Sequence, residues 1–197
     1  MYPDSFKNLI NCLSELPGIG EKSAERLAFS IINYDDERLD NFANCISSIK
    51  NLKKCSICHN ISDNDICNIC SNVDRNKESI VVVEKPKDLI LFEKLGVFKG
   101  DYHVLDGLIS PLEGVNPEDI NLSSLIDRIK NNDIKEIILA LKPSIEGETT
   151  MQYIRRILDK FDVKVTKIAT GIPIGTDIEY IDNLTLELAL EERKEVS

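Results

Sequence analysis

The sequence predicts an α+β protein of several modules, in which a helical N-terminal part precedes a short cysteine-rich segment and an α/β domain. Three observations support this prediction. Apolar residues recur every three or four positions over the N-terminal part, which is the period of amphipathic helices. Two cysteine pairs follow within residues 55–70. Beyond residue 79, apolar runs alternate with helical stretches, a pattern typical of a mainly parallel sheet covered on both faces.

Size and charge limit the possible functions. The chain has 197 residues, 42% of them hydrophobic, enough to bury a core in one domain or two small ones. Its net charge is -10, and phosphate binding depends largely on Lys and Arg, so composition alone argues against a nucleic-acid coat protein. The acid is uneven, because residues 1–54 are almost neutral and the excess lies in residues 79–197. An N-terminal module could therefore contact DNA while the acidic part contacts a basic partner.

The cysteine content and the absence of long apolar runs indicate a cellular compartment. No run approaches the roughly 18–20 apolar residues of a membrane span, and the N-terminus lacks a signal-peptide pattern. We therefore expect a cytoplasmic protein without membrane contact. In a reducing compartment six cysteines are not expected to form disulfides, so paired spacings indicate metal binding.

Three helices are predicted in the N-terminal part, at residues 5–16, from residue 21 or 22 onward, and around residues 39–49. The acidic residues 35–37 are predicted to end the second helix. Cys12 and Cys45 fall within helical patterns and are predicted to be small core residues.

The turn between the first two helices, residues 16–20 (LPGIG), is a candidate phosphate-binding element. Gly18 and Gly20 would let the backbone approach a phosphate, and the next helix N-terminus offers free N–H groups. Lys22 and Arg26 lie one turn apart, opposite the apolar stripe, and face solvent or a ligand. The alternative is an ordinary helical corner with a solvated charged face. Together these features resemble the helix-hairpin-helix motif of sequence-independent DNA binders.

Residues 55–58 (CSIC) and 67–70 (CNIC) are two CxxC hooks separated by eight residues. Each hook can direct two thiolates at one tetrahedral Zn²⁺, and the polar turn formers between them can bring the hooks together. Because protein would fill every coordination position, we predict one structural zinc ion, held by Cys55, Cys58, Cys67 and Cys70. The alternative is four buried or redox-active cysteines. His59 is predicted to lie near the site or at the surface without binding the metal.

The α/β part is predicted to contain strands at residues 80–83, 104–105, 137–141 and 163–169. Helices are predicted near residues 87–95, 121–131 and 149–161. Residues 171–175 (GIPIG) predict a stiff turn, and a C-terminal helix is predicted from Thr185 to Arg193.

Acidic residues follow two of these strands. Glu84 ends the first strand, and KPSIEGE at residues 142–148 follows the third. In an open parallel sheet both segments lie at the carboxyl edge, where ligands usually bind. A strand that ends in glutamate, with a later strand and an EGE turn, resembles the Toprim fold of topoisomerases and primases. That fold uses the glutamate for acid/base work and an Asp-x-Asp pair to hold Mg²⁺.

Lys142 and Ser144 occupy the positions of those two aspartates. A lysine places a cation where the metal would lie and a serine supplies no charge, so a hard divalent ion loses its main ligands. We therefore expect no phosphodiester cleavage. The remaining acidic cluster can contact a protein partner and consists of Glu84, Asp88, Glu146 and Glu148. Equally, Glu148 could satisfy the free N–H groups of a helix.

The order of these parts resembles the RecR family of bacterial recombination mediator proteins. The resemblance divides the chain into a helix-hairpin-helix module (1–53), a four-cysteine zinc finger (54–76), a Toprim domain (77–170) and a C-terminal oligomerisation segment (171–197). It rests on residues 16–29 (LPGIGEKSAERLAF), the cysteine set, 81–86 (VVVEKP), 102–114 (YHVLDGLISPLEG), 146–149 (EGET) and 171–180 (GIPIGTDIEY). The family pattern has Asn-Pro at residues 142–143, where this chain has Lys-Pro, which leaves partner contacts at that loop open.

The resemblance implies a non-catalytic, DNA-binding scaffold for recombinational repair. Such a scaffold acts with RecO, and in some settings RecF, to help load RecA on gapped or single-stranded DNA. It also implies a homodimer or ring-shaped homotetramer, DNA contacts at Lys22 and Arg26, and RecO contacts at the acidic edge. Two hypotheses compete with it: an active, Mg²⁺-dependent Toprim nuclease or strand cutter, and a zinc-stapled adaptor that never touches nucleic acid.

Overall fold

The computed structural model describes residues 2–169, 171–191 and 193. The chain divides into two compact units, one ending at Leu52 and the other beginning at Lys53. Of the predicted C-terminal segment, residues 192 and 194–197 lie outside the described part. No helix within the described residues is both long enough and apolar enough to cross a membrane.

The first unit consists of three helices, α1 (Asp4–Ser14), α2 (Glu21–Ile31) and α3 (Asp36–Ser48), and a short 3₁₀ turn at Ile49–Asn51. The acidic residues 35–37 begin α3 and do not end α2, which corrects the sequence-based prediction. The physical reason is capping, because the Asp35 carboxylate accepts a hydrogen bond of 2.8 Å from the backbone N–H of Arg38.

The core of the helical unit is small. Phe6 is buried together with Ala24, Ala28 and Ile31 of α2, and the Phe6 ring lies edge-to-face against Phe29 at 4.9 Å. Cys12 and Cys45 are both exposed, so their prediction as core residues was wrong. A helical period marks one face of a helix but does not say how far the core extends around it.

The second unit begins with a cysteine-rich segment, in which β1 (Lys53–Lys54) pairs antiparallel with β2 (Ile61–Ser62) and a short helix α4 (Asn68–Ser71) follows. A parallel sheet comes next, in the spatial order β4-β3-β5-β6. Its strands are β3 (Asn76–Val83), β4 (Gly100–Val104), β5 (Glu136–Ala140) and β6 (Lys164–Lys167). The longer helices of this unit are α5 (Pro86–Leu95), α6 (Leu122–Asn131), α7 (Ile145–Leu158) and α8 (Asn183–Glu191).

Both faces of the sheet are buried, as predicted. Alternate residues of β3 point to opposite sides, so Ile80 and Val82 join one apolar cluster and Val81 and Val83 join another. The first cluster is completed by α6 and α7, and the second by α5 through Leu89. The prediction of a mainly parallel sheet within an α+β protein is therefore confirmed.

The start of α7 differs from the prediction and changes the setting of two site residues. The helix begins at Ile145 and not near residue 149, so Glu146 and Glu148 lie in its first turn. Ser144 causes the early start, because its hydroxyl accepts a hydrogen bond of 3.2 Å from the Gly147 N–H.

Candidate functional site

The four paired cysteines converge on one point. The four Sγ atoms all lie within 4.8 Å of one another, and those of Cys58 and Cys67 are 3.6 Å apart. Tetrahedral zinc with Zn–S bonds of about 2.3 Å places its sulfur ligands about 3.8 Å apart. The set Cys55, Cys58, Cys67 and Cys70 therefore fits one zinc ion.

The local backbone explains why the two hooks meet. The Cys55 N–H donates to the Asn60 carbonyl at 2.7 Å and the His59 N–H donates to the Cys55 carbonyl at 2.9 Å, which closes the first turn. The Cys67 N–H points at the Cys55 sulfur at 3.3 Å. His59 adopts a positive φ of 61°, a left-handed conformation that His tolerates better than most residues.

The cysteine thiols share hydrogen bonds that favour a thiolate within the cluster. Hydrogen bonds from Cys58 and Cys70 lower the pKa of Cys67 well below its ordinary value, so its thiolate is the favoured anion. The same sharing with Cys67 raises the pKa of Cys58 to about 12. A divalent cation would stabilise all four thiolates together, which the protein alone does not do.

His59 is placed beside the thiols without joining them. Its Nε2 atom lies 2.8 Å from the Ser124 hydroxyl of α6, and its ring stands edge-on to the buried His103 ring at a centroid distance of 5.3 Å. Burial, followed by the charges of Lys54 and Arg128, lowers the pKa of His59, so the ring is neutral at pH 7. The expectation that His59 lies near the site without being a ligand agrees with this geometry.

The glycine hairpin has the shape that its sequence predicts. Gly18 has a φ of +82°, which favours glycine, whereas Gly20 is extended and precedes α2. Lys22 and Arg26 are both exposed, one helical turn apart. The structure thus places both cations on the solvent side of α2, next to the helix N-terminus that follows the hairpin.

The carboxyl edge of the sheet brings together some, but not all, of the predicted acidic residues. Glu84 and Glu146 line the same cavity of about 580 Å³, together with Lys142 and Ser144. Asp88 lies nearby, and its side chain accepts a hydrogen bond of 3.1 Å from the Lys85 N–H.

Glu148 lies elsewhere, since it lines a separate cavity with Met151 and Lys167. The four residues predicted to form one acidic cluster are therefore separated in the structure. Glu84 and Glu146 share a cavity and Asp88 lies close to it, whereas Glu148 lies apart.

Three acidic residues of the same cavity were not recognised in the sequence: Asp106, Glu113 and Asp119. They come from the segment after β4, within the YHVLDGLISPLEG stretch and just beyond it. Asp106 has a φ of +67°, and its N–H donates to the Glu84 carbonyl at 2.8 Å. The available signal in the sequence was that Asp106 directly follows the strand predicted at residues 104–105.

The electrostatics of the cavity are mixed. The Lys85 ammonium lies 3.3 Å from the Glu84 carboxylate, and Lys142 also lines the wall. Hydrogen bonds from its own N–H and from Ser144, and then the charge of Lys142, lower the pKa of Glu146. The Glu146 carboxylate is therefore favoured as the anion, in a cavity whose wall also carries the Lys85 and Lys142 ammonium groups.

Comparison with known protein families covers nearly the whole chain. Four family descriptions match in order: the RecR helix-hairpin-helix over residues 6–50, the RecR zinc finger domain with four cysteines over residues 52–72, the Toprim domain over residues 78–169 and the RecR C-terminal region over residues 171–194. The chain is also similar to a protein named Recombination protein RecR from Lactobacillus helveticus (strain DPC 4571). The two are 44% identical over 194 residues, which cover 98% of each chain.

Proposed function

We propose, from the fact that this chain belongs to the RecR family, that it is a non-catalytic DNA-binding scaffold in recombinational repair. In this proposal it acts with RecO, and with RecF in some settings, to help load RecA on gapped or single-stranded DNA. The observation that carries the proposal is the series of four family matches, in which a helix-hairpin-helix, a four-cysteine zinc finger, a Toprim domain and a RecR C-terminal region follow one another.

The proposed DNA contact is the hairpin between α1 and α2. Gly18 and Gly20 open the backbone to a phosphate, and Lys22 and Arg26 supply exposed cations beside it. Contacts of this kind ignore base sequence, because they address only the phosphate backbone. With a net charge of -10, the whole chain is expected to bind DNA weakly on its own.

A binding assay on gapped and duplex DNA at two salt concentrations tests this contact. The double variant K22A/R26A should bind DNA more weakly at low salt. The slope of the logarithm of the binding constant against the logarithm of the salt concentration should decrease in magnitude by about two, one unit for each lost phosphate contact. The matched control is E21Q/E25Q, which removes two charges from the same helix but should strengthen binding. Equal affinity of the wild type and K22A/R26A would favour the adaptor hypothesis.

The proposed protein contact is the acidic edge, and its partner is a basic surface of RecO. Glu84 and Glu146 face one cavity, and Asp88 lies beside it, so these three carboxylates are the proposed core of the contact. Glu148 belongs to a different cavity and is proposed as a peripheral contact only. Pull-down with purified RecO should fail for E84Q/E146Q and succeed for E148Q; loss with E148Q alone would reverse this assignment.

The proposal includes the absence of strand cleavage. Lys142 and Ser144 line the cavity where a Toprim enzyme would present two aspartates to Mg²⁺, and neither can replace a carboxylate ligand. Nicking of DNA by purified protein with Mg²⁺, abolished by E84Q, would establish the nuclease hypothesis instead.

The remaining parts of the proposal concern organisation. We propose domain limits at residues 1–53, 54–76, 77–170 and 171–197, and a cytoplasmic homodimer or ring-shaped homotetramer. A ring around DNA needs few base contacts and a modest basic lining, which suits an acidic chain. Light scattering of the purified protein measures the oligomeric state directly.

A further inference from the structure

A salt bridge joins the zinc-finger hairpin to the acidic edge of the sheet. Lys54 is the last residue of β1 and directly precedes the metal ligand Cys55. Its ammonium pairs with the carboxylate of Asp106, which follows β4 and lines the cavity shared with Glu84. The pair therefore connects a residue next to a metal ligand with a residue that lines the cavity of the proposed partner site.

Asp106 occupies a backbone conformation that needs support. Its φ of +67° is uncommon for residues other than glycine, although Asp tolerates it better than most. Its N–H donates to the Glu84 carbonyl at 2.8 Å, which fixes where the segment leaves the sheet. Further along, the Ile109 N–H donates to the Thr150 hydroxyl at 2.8 Å. The segment from Asp106 to Ile109 is thus held at both ends.

The finger also docks on the open edge of the sheet. β4 is an edge strand, and its Val104 N–H donates to the Cys58 carbonyl at 2.9 Å. The His59 ring meets the Ser124 hydroxyl at 2.8 Å. Both contacts come from a metal ligand or its neighbour, so a metal that orders the cysteines also orders the groups that touch β4 and α6.

We propose that Lys54 is a positioning residue through which the metal state of the finger sets the conformation of the acidic cavity. With zinc bound, the cysteine hooks fix β1, and Lys54 holds Asp106 in its left-handed conformation. Without zinc, the finger loses its order, Lys54 is released, and the segment after Asp106 relaxes. The coupling makes the acidic edge sensitive to metal loss or thiol oxidation, although no cysteine belongs to that edge.

Hydrogen–deuterium exchange of the full chain tests the coupling without relying on any partner. The reporters are the amides of Asp106, Ile109 and Ser110, each of which donates a hydrogen bond in the folded protein. In K54M with zinc content confirmed at one equivalent, these amides should exchange about 1.5- to 5-fold faster, which is what an exposed ion pair contributes. The control K53M, at the neighbouring exposed lysine, should match the wild type.

Lys54 precedes a metal ligand, so a substitution there could also disturb zinc binding. The variant D106N tests the same ion pair at a residue distant in sequence from the cysteines. Asn keeps the tolerance for positive φ and removes the charge. If the two residues act together, K54M/D106N should exchange no faster than either single variant. Removal of zinc from the wild type with a chelator should accelerate the same amides at least as much as K54M does.

Three results would overturn the proposal: wild-type exchange in both K54M and D106N, a double variant whose acceleration is the product of the two singles, or unchanged exchange after zinc removal. None of these outcomes depends on RecO or DNA binding. Failure of the coupling and failure of the proposed function can therefore be told apart.

Discussion

Gly147 packs directly against the backbone carbonyl of Lys142, so that a Cβ atom at position 147 would collide with that oxygen. The contact folds the 142–144 loop tightly onto the first turn of α7. It thereby places Lys142, Ser144 and Glu146 around the same cavity. Glycine is therefore required at position 147 because there is no room for a Cβ atom, and not because the backbone has a positive φ.

The variant G147A should therefore destabilise the second unit by about 1–3 kcal/mol, the usual cost of overpacking, despite the better helix propensity of alanine. Urea denaturation measures the change in the free energy of unfolding. G171A is the matched control, since a Cβ there meets nothing within 4 Å. Equal stability of G147A and the wild type would mean that the loop can move away from α7 without cost.

The cysteines separate into two classes that metal analysis can distinguish. C67S should lose about one equivalent of zinc and more than about 3 kcal/mol of stability, because a structural zinc site contributes on the order of 10 kcal/mol of binding free energy. C12S and C45S should keep both, since these residues are exposed on the helices of the first unit. Zinc retained by C67S, or lost from C12S, would contradict the four-cysteine assignment.

Local signals in the sequence located most of the candidate site. The CxxC spacing, the LPGIG turn and the glutamate after a strand each depend on residues close together in the chain. For this reason the metal centre, the hairpin and Glu84 could be predicted without knowing how distant segments meet.

The buried edge strand was only partly predicted, for a physical reason. β4 contains Asp101 and His103, both buried, so its first residues do not form an apolar run. Ion pairs of Asp101 with Lys77 and Arg128 satisfy the buried charge, and these partners are distant in sequence. Only residues 104–105 were therefore expected to form a strand. Asp106 was missed for a different reason, since its place beside Glu84 depends on β4 lying next to β3 in the sheet.

His103 predicts a specific pH dependence of stability. Its Nε2–H donates to the Asn121 carbonyl at 2.7 Å, and Nδ1 faces the Arg128 guanidinium at 3.4 Å. Burial lowers the pKa of His103 to about 3. The unfolded chain, with an ordinary histidine pKa near 6.5, binds the proton first as the pH falls, so stability is complete above about pH 6.5 and declines toward pH 3.

The variant H103Q should remove this part of the pH dependence. Between pH 7 and pH 5 the free energy of unfolding of the wild type should fall by up to about 1.4 kcal/mol per pH unit more than that of H103Q. Urea titrations at several pH values measure both slopes, and the difference cancels proton uptake by the thiols. Parallel slopes would show that His103 is protonated without cost in the folded protein.

Arg75 should resist replacement even by lysine. Its guanidinium binds the Glu93 carboxylate through two hydrogen bonds of 2.8 and 3.1 Å and also donates from Nε to the Gly100 carbonyl at 2.9 Å. An ammonium cannot form this fork, so R75K should cost about 1–3 kcal/mol in thermal or urea unfolding. The control K130R, on an exposed i,i+3 pair with Asp127, should change stability by less than about 0.5 kcal/mol. A larger loss of stability in K130R than in R75K would contradict the conclusion that the Arg75 hydrogen bonds stabilise the fold.

The altered Toprim loop can be tested by restoring the missing carboxylates. Lys142, Ser144 and Glu84 line one cavity, so K142D/S144D would place two new carboxylates beside an existing one. Aspartate is also a good N-cap, so the substitution at Ser144 keeps the cap that precedes α7. The double variant should therefore bind Mg²⁺, and its melting temperature should rise with Mg²⁺ concentration as ligand binding to the folded state requires.

The wild type and the control K142N should show no such rise, because neither presents the aspartate pair. Calorimetric titration with Mg²⁺ gives the same comparison independently of unfolding. If the wild type bound Mg²⁺ saturably and E84Q removed that binding, the lysine and serine would not be what keeps a divalent ion from this cavity. Glu84 and the other carboxylates of the cavity would then be sufficient ligands for Mg²⁺, and the absence of the aspartate pair would not prevent strand cleavage.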